Sequence, residues 1–400
     1  MVTIKDIILI VYGLFLSAVI GLIAAAFLIT EGFFSDIVWV SNNQILQIIL
    51  IIIGSGILYY LLKRWPSLPK TAHDSITELK QNQTINYQDV FLNLLITLVI
   101  LTFGAGVGPE AALLSAIISL SIWQADNLRY LYFQYDVLKQ LPFHKALGRL
   151  LNPFRYRQKY DDSIAPKMPQ ILRKKILYAV FTINGIWAFA LLLRQTDQPS
   201  FILKLGQSHW QLTQLWLLPV LMIAGYIFAI LCKVCYNFFY RIFHRWQLSL
   251  LQKVILGAVG IILVSYLAPD LLFSGQHSLH LLIGSWSHKS AGFLTVMALL
   301  KLVFLAWCLN LNWRGGDIFP ITFAAMTEGF AAASLLPNYD ALFVTAIIAT
   351  TIMSELASPI VAGIFLLFFF PIILSPVIIV IAVLMFLKNK YLPKLNVKLD

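Results

Sequence analysis

Ten apolar runs follow one another along this chain: Ile7–Ile29, Ile45–Leu62, Val90–Thr102, Ile176–Leu193, Leu215–Phe239, Val254–Leu267, Ala291–Leu309, Ala341–Met353, Ile360–Phe370 and Ile372–Leu387. About 20 apolar residues make one helical crossing of a bilayer. Within the hydrocarbon every backbone polar group needs an internal partner, so the spanning structures are helices or closed barrels. The runs predict an all-α polytopic membrane protein, although several are too short for a perpendicular crossing. Charged residues are only 12% of the 400, against about 25% in a soluble domain. So few charges do not cover a water-facing surface. The first run is too long for the core of a signal peptide and lacks a small-residue cleavage pattern, so it is expected to stay as a membrane helix.

The net charge of +11 would suit a nucleic-acid partner if it were spread over a surface. It is confined to loops instead. Between Arg129 and Lys175 there are eleven Lys/Arg against three Asp, and further clusters lie at Lys233–Lys253 and Lys388–Lys398. Basic residues beside apolar spans mark the cytoplasmic side. They also attract anionic lipid. Nucleic acid is not expected as a partner. Residues 126–175 are expected as a basic cytoplasmic loop within a single transmembrane domain, residues 1–400, whose halves are approximately 1–200 and 201–400. Three cysteines make no disulfide framework. Cys232 and Cys235 form a C-x-x-C without the second pair that a zinc site needs, so no metal and no cofactor is expected.

Two stretches combine glycine, proline and apolar residues without being loops. One is F-G-A-G-V-G-P-E-A-A-L-L-S-A, with Pro109, inside Gly104–Leu120. The other is W-R-G-G-D-I-F-P-I-T-F-A-A-M, with Pro320, inside Gly315–Ala333. Proline suits the first position of a helix, and glycine permits irregular backbone before it. Each half therefore contains a helix that starts within the membrane. Interrupted helices at matching places in two halves point to an inverted-repeat transporter. Asn184-Gly185-Ile186 and the stretch Ala357–Ile364 add a weak echo of duplication.

A helix beginning inside the bilayer leaves about four N–H groups without partners and about half a positive charge at that end. Two such ends converging make an anion site without a fixed cation. Weak binding of this kind permits release as well as entry.

At these residues the chain resembles the CLC family of chloride channels and proton-coupled chloride transporters. The stretch Gly104–Glu110, ending V-G-P-E, is similar to the family's G-[KR]-E-G-P element. G-G-D-I-F-P at Gly315–Pro320 is similar to its G-x-F-x-P element. Ser354–Phe370 resembles the later helix with A-P-L-x-G, and Ala268-Pro269 with Phe273-Ser274-Gly275 fits a family turn. The resemblance implies two inversely related halves with broken helices meeting at the bilayer midplane, a chloride-like anion as the partner, and a homodimer with one pore per subunit. It places the anion against Gly106, Val107, Gly108 and Glu110 on one side and Asp317, Ile318 and Phe319 on the other. Asp317 is expected to turn its carboxylate away, toward Arg314.

The departures bear on mechanism. Val107 stands where the family carries its gating glutamate, and Ala190-Leu191 where it carries an internal one. Glu110 is the nearby carboxylate, read either as a gate that competes with the transported ion or as a dipole cap. As a gate it would make transport pH-dependent. The family's serine element falls near Lys70-Thr71-Ala72-His73, which makes Lys70 and Thr71 weak pore-lining candidates. G-S-G-I-L at Gly54–Leu58 matches only by coincidence. Tyr391 stands roughly where an ion-facing tyrosine is expected. Glu328 and Glu355 are acids in apolar helices, functional or hydrogen-bonded structural ones. His277 and His280 form H-x-x-H in a polar turn.

The reading is passive transport of a small monovalent anion by an integral protein of a bacterial cell membrane, not an enzyme. The alternatives are proton-coupled antiport through Glu110, an unrelated inverted-repeat transporter of an organic solute, and a membrane enzyme built on His277 and His280.

Overall fold

The computed structural model describes residues 3–39, 43–161, 171–196 and 204–392. Sixteen α-helices run through them: α1 Ile4–Trp39, α2 Gln44–Arg64, α3 Ala72–Asn82, α4 Val90–Thr102, α5 Glu110–Phe133, α6 Tyr135–Gln140, α7 Phe143–Leu150 and α8 Ile171–Leu193, followed by α9 Leu217–Arg245, α10 Leu250–Leu267, α11 Gln276–Ser285, α12 Ala291–Asn310, α13 Ile318–Leu335, α14 Ala341–Leu356, α15 Pro359–Phe369 and α16 Ser375–Tyr391. Among the described residues, nine helices are long and apolar enough to cross a membrane, while α4, α14 and α15 are shorter apolar helices.

Every apolar run became a helix, and the differences lie where polar residues interrupt the pattern. Helix α1 continues past Ile29 to Trp39. Glu31 and Asp36 end its apolar run, but neither breaks the intrahelical ladder. The segment 126–175, expected as a loop, begins with the last two turns of α5 and then carries α6 and α7. Residues 162–170 and 393–400, which hold part of two basic clusters, lie outside the described residues. Helix α3 was not foreseen. It is short and polar, and it starts at a capping box in which Thr71 and Asp74 each satisfy the other's backbone N–H. H-x-x-H is not a turn either: His277 and His280 sit one turn apart on α11.

The chain divides into two compact units. One comprises Met1–Ile37, Ser67–Leu98 and Ala111–Gln198; the other comprises Val38–Pro66, Val99–Glu110 and Pro199–Asp400.

In the first unit, small residues let helices approach and polar side chains tie them, the usual device where lipid supplies no hydrophobic drive between helices. A Cβ on Gly21 would fall 2.1 Å from the Gly185 carbonyl oxygen. Asn184 donates to Ser17 Oγ and to the Leu14 carbonyl, each at 2.8 Å. Asn184-Gly185 is thus where α8 packs against α1. Ser75 and Ser115 hydroxyls meet at 2.8 Å, and the Tyr87 hydroxyl donates to Asp126 at 2.9 Å. Helix α8 leaves Ile183, Ile186 and Trp187 exposed at 60% or more.

The second unit is built on the pair α13 and α14. Most residues of both are buried, and Gly329 of α13 lies against Thr345 of α14, where a Cβ would fall 2.7 Å from Thr345 Cγ2. Asp340 caps α14 by accepting the Phe343 N–H at 2.8 Å. Trp307 and Trp313 lay their indoles into the gaps left by Gly260 and Gly257 of α10. Their N–H groups donate to the Leu256 and Val254 carbonyls at 3.0 and 3.1 Å. Helices α9, α14 and α16 share a charged knot. Glu355 accepts Lys233 on one oxygen and Lys388 on the other, both at 2.5 Å, and Lys388 lies 4.3 Å from the Tyr226 ring centroid. Glu355 is therefore a paired structural acid.

Candidate functional site

The two interrupted stretches meet within the second unit. Helix α4 stops at Thr102, the backbone runs without helix through residues 103–109, and α5 starts at Glu110. Helix α12 stops at Asn310, residues 311–317 are non-helical, and α13 starts at Ile318. The stretches pair through one antiparallel bridge. Gly108 N–H donates to the Gly316 carbonyl and Gly316 N–H to the Gly108 carbonyl, both at 2.7 Å. Proline placement differs between the two. Pro109 directly precedes α5, whereas Pro320 is the third residue of α13, where a missing N–H is equally free of cost because the first-turn donors have no intrahelical acceptor.

Glu110 lies on this bridge. Its residue is 7% exposed, and its Oε1 accepts the Phe319 N–H at 3.1 Å. The N–H groups of Glu110 itself and of Ile318 lie alongside the carboxylate. Oε2 is buried without a hydrogen-bond partner. The fit requires glycine on both sides. A Cβ on Gly108 would stand 1.9 Å from Oε2, and one on Gly316 would stand 2.1 Å from Cδ. A negative group is thus seated where α5 and α13 both begin, a placement that both helix dipoles favour.

Val107 is fully buried and fills the space beside Gly315, where a Cβ would lie 2.4 Å from its Cγ2. Gly106 donates its N–H to Cys308 Sγ at 3.3 Å, and the Phe304 ring packs on its α-carbon. Asp317 precedes α13 without a side-chain capping bond. It lines a small cavity of about 20 Å³ with Cys232, Tyr236, Leu305, Ile321 and Leu356. Arg314, its expected counterpart, is exposed.

The structure brings Gly106, Val107, Gly108 and Glu110 together with Asp317, Ile318 and Phe319. Lys70 and Thr71 fall in the first unit, where Lys70 pairs with Glu78 at 2.8 Å and Thr71 caps α3. Tyr391 is the last residue of α16 and 71% exposed. Gly54 sits inside α2 against the Phe103 ring, and Ser55 bonds back to the Ile51 carbonyl at 2.7 Å. His277 and His280 gain no third ligand: among the described residues no group of three His, Cys, Asp or Glu is placed to hold a metal ion. Sequence reasoning missed Gly316, Phe304 and Cys308. The first was visible as the second half of G-G; the other two looked like ordinary members of an apolar run.

Buried helix starts facing each other across glycine backbone form an arrangement suited to an anion. The family profile described as voltage gated chloride channel matches residues 173–387, just over half the chain, and the protein belongs to this family of membrane anion channels and transporters. No curated protein matches it. Two solved structures share the fold at 15% identity each. One is a slow cyanobacterial Cl⁻/H⁺ antiporter, with a TM-score of 0.67 over 94% of this chain and 93% of that one. The other is a CLC-type fluoride/proton antiporter, with a TM-score of 0.61 over 97% of each.

Proposed function

We propose that this chain moves a small monovalent anion, chloride by default, passively across a bacterial cell membrane, through a site made from the N-termini of α5 and α13. The observation that carries this reading is the Glu110 carboxylate. It is an anion supplied by the chain itself, and it rests against the Phe319 N–H at the bridge between Gly108 and Gly316. A transported anion entering the same donors displaces it, so Glu110 acts as the gate. Gly106, Val107, Gly108, Asp317, Ile318 and Phe319 supply the surrounding backbone. Passive movement is favoured because Val107 and Ala190-Leu191 occupy the places where the family resemblance puts its two coupling acids. The assembly is proposed as a homodimer, two identical pores side by side.

The second reading is proton-coupled antiport with Glu110 carrying the proton, favoured by the seat of its carboxylate within the site. Both solved neighbours are described as proton antiporters. Efflux from liposomes containing the purified chain, with anion and pH recorded together, separates the two. Anion efflux without opposing proton movement supports the passive reading, and stoichiometric proton uptake supports antiport. Absence of any flux for chloride and fluoride overturns both.

A further inference from the structure

Lys301 is the one charged residue in α12, and it is completely buried. The lysine and glutamate of the buried Lys233–Glu355–Lys388 knot in the same unit are paired. Lys301 takes part in none of the ion pairs among the described residues. Its Nζ donates to the Leu271 carbonyl at 2.8 Å and the Phe273 carbonyl at 2.5 Å. The rings of Phe304 and Phe323 stand 6.0 and 5.9 Å away, at the outer limit of cation–π contact. Burying an ammonium without a carboxylate is costly, and in a membrane span such a residue marks function by default. A leucine would serve the packing of α12 without that cost.

Two features connect Lys301 to the anion site. The first is mechanical. Phe273, whose carbonyl it holds, has φ of 58°, a rare conformation for a bulky side chain. Phe273 donates its N–H to the Gly104 carbonyl at 3.4 Å, and Gly104 (φ 82°) is the second residue of the non-helical stretch. The second is electrostatic. Phe304 and Cys308, on the same helix, hold Gly106 by its α-carbon and its N–H. Cys308 is seven residues on from Lys301, about 10 Å along the axis at 1.5 Å per residue.

We propose that the Lys301 ammonium is the positive charge that sets how tightly the Gly106–Glu110 and Ile318–Phe319 backbone holds an anion. The proposal rests on the anion-transport reading above. Helix ends alone offer partial charges that weaken over a turn. A full charge behind the site, with no counter-charge paired to it, adds an attraction that reaches the ion through apolar protein. At a separation on the order of 12 Å and an effective dielectric near about 20, that attraction amounts to roughly a tenfold change in affinity.

The test is chloride binding by calorimetry to the purified full-length chain in a Glu110→Gln background, which removes the competing carboxylate. Lys301→Gln keeps a donor for the Leu271 and Phe273 carbonyls and loses the charge; Lys301→Met loses both. Weakening of roughly tenfold in Lys301→Gln, with a monodisperse gel-filtration profile, is the expected result. Should the Gln variant not fold, the same weakening in Lys301→Met is expected. Parent-like affinity in either folded variant overturns the proposal and leaves Lys301 a support for the Phe273 turn, lowering only the melting temperature. No chloride binding by the parent itself overturns both this inference and the transport reading.

Discussion

Glu110 Oε1 and the Phe319 N–H meet at 3.1 Å across 209 positions of sequence. The bond joins the first residue of α5 to the second residue of α13, so each broken helix contributes to one seat. Because the carboxylate is tethered and the N–H is part of a rigid helix start, the seat exists without any ion bound. On the proposed transport reading the carboxylate leaves before an anion enters, and what makes it leave would regulate the pathway.

Protonation is the simplest such trigger. A neutral Glu110 no longer gains from the two helix dipoles, so anion flux is expected to rise as pH falls from 8 to 5. Glu110→Gln carries no titrating proton and is expected to pass anion at a rate independent of pH over this range. Liposome flux assays at stepped external pH read this directly. Retention of the wild-type pH profile in Glu110→Gln rules out this residue as the gate.

Gly316 leaves no room for a methyl group, since a Cβ there would lie 2.1 Å from Glu110 Cδ. Gly316→Ala is expected to cost about 1–3 kcal/mol, the usual range for overpacking a filled interior. In a Glu110→Ala background the carboxyl is gone and the added methyl fits. The double-mutant cycle is therefore expected to show favourable coupling of at least about 1 kcal/mol. Additive effects on chemical-denaturation stability indicate that the glycine serves only the backbone bridge.

Much of this arrangement could be read from the sequence. G-A-G-V-G-P and G-G-D-I-F-P announced helix starts inside apolar surroundings, because glycine and proline impose local backbone rules that no packing reverses. The bridge itself was not legible. It depends on Gly108 and Gly316 arriving at the same point from opposite halves, which is a property of tertiary packing. Lys301 was visible as a lone charge in Ala291–Leu309, yet its partners are backbone carbonyls at Leu271 and Phe273. Carbonyls have no sequence signature. Lys70 pairs with Glu78 eight residues on, a partner on α3 that pattern matching does not weigh.

The Lys70–Glu78 pair makes a pH prediction outside the membrane spans. Partial burial alone would raise the Glu78 carboxyl, but the Lys70 ammonium and the Asn86 N–H outweigh it and hold the group below its ordinary 4.5. A depressed carboxylate stabilises the fold above its unfolded value and loses that contribution as pH falls through the folded one. The region around α3 is thus expected to lose hydrogen-exchange protection below about pH 4.5, and Glu78→Gln to show the reduced protection already at pH 7. Equal protection in variant and wild type at pH 7 excludes the pair as a stabilising contact.

Glu355, Lys233 and Lys388 predict an asymmetric mutational response. Glu355→Gln leaves two ammonium groups facing each other, one of them almost wholly buried. Breaking a buried pair from one side typically costs about 3–5 kcal/mol. Lys388→Met leaves a one-to-one pair of Lys233 and Glu355, and the Lys388 side chain is itself 21% exposed, so the loss is expected to stay near about 1 kcal/mol. Thermal unfolding in detergent ranks the two. Equal losses, or a larger loss for Lys388→Met, show that the knot is held by Lys388 rather than by its central acid.

Cys308 offers the last test, because its sulfur occupies an N–H that the anion would also want. Gly106 donates to Sγ at 3.3 Å, a weak acceptor compared with a halide. Cys308→Ala leaves that buried donor unpaired, which costs about 1–3 kcal/mol in the ion-free protein. A bound chloride accepts the freed N–H and recovers part of the loss. The variant is therefore expected to melt lower than wild type without chloride and to gain more from added chloride, whereas Cys308→Ser, which restores an acceptor, behaves like wild type. Measured melting curves across a chloride series decide the point. If chloride raises the melting temperature of Cys308→Ala and wild type by the same amount, the Gly106 N–H faces away from the ion. The anion then rests on Glu110, Ile318 and Phe319 amides alone.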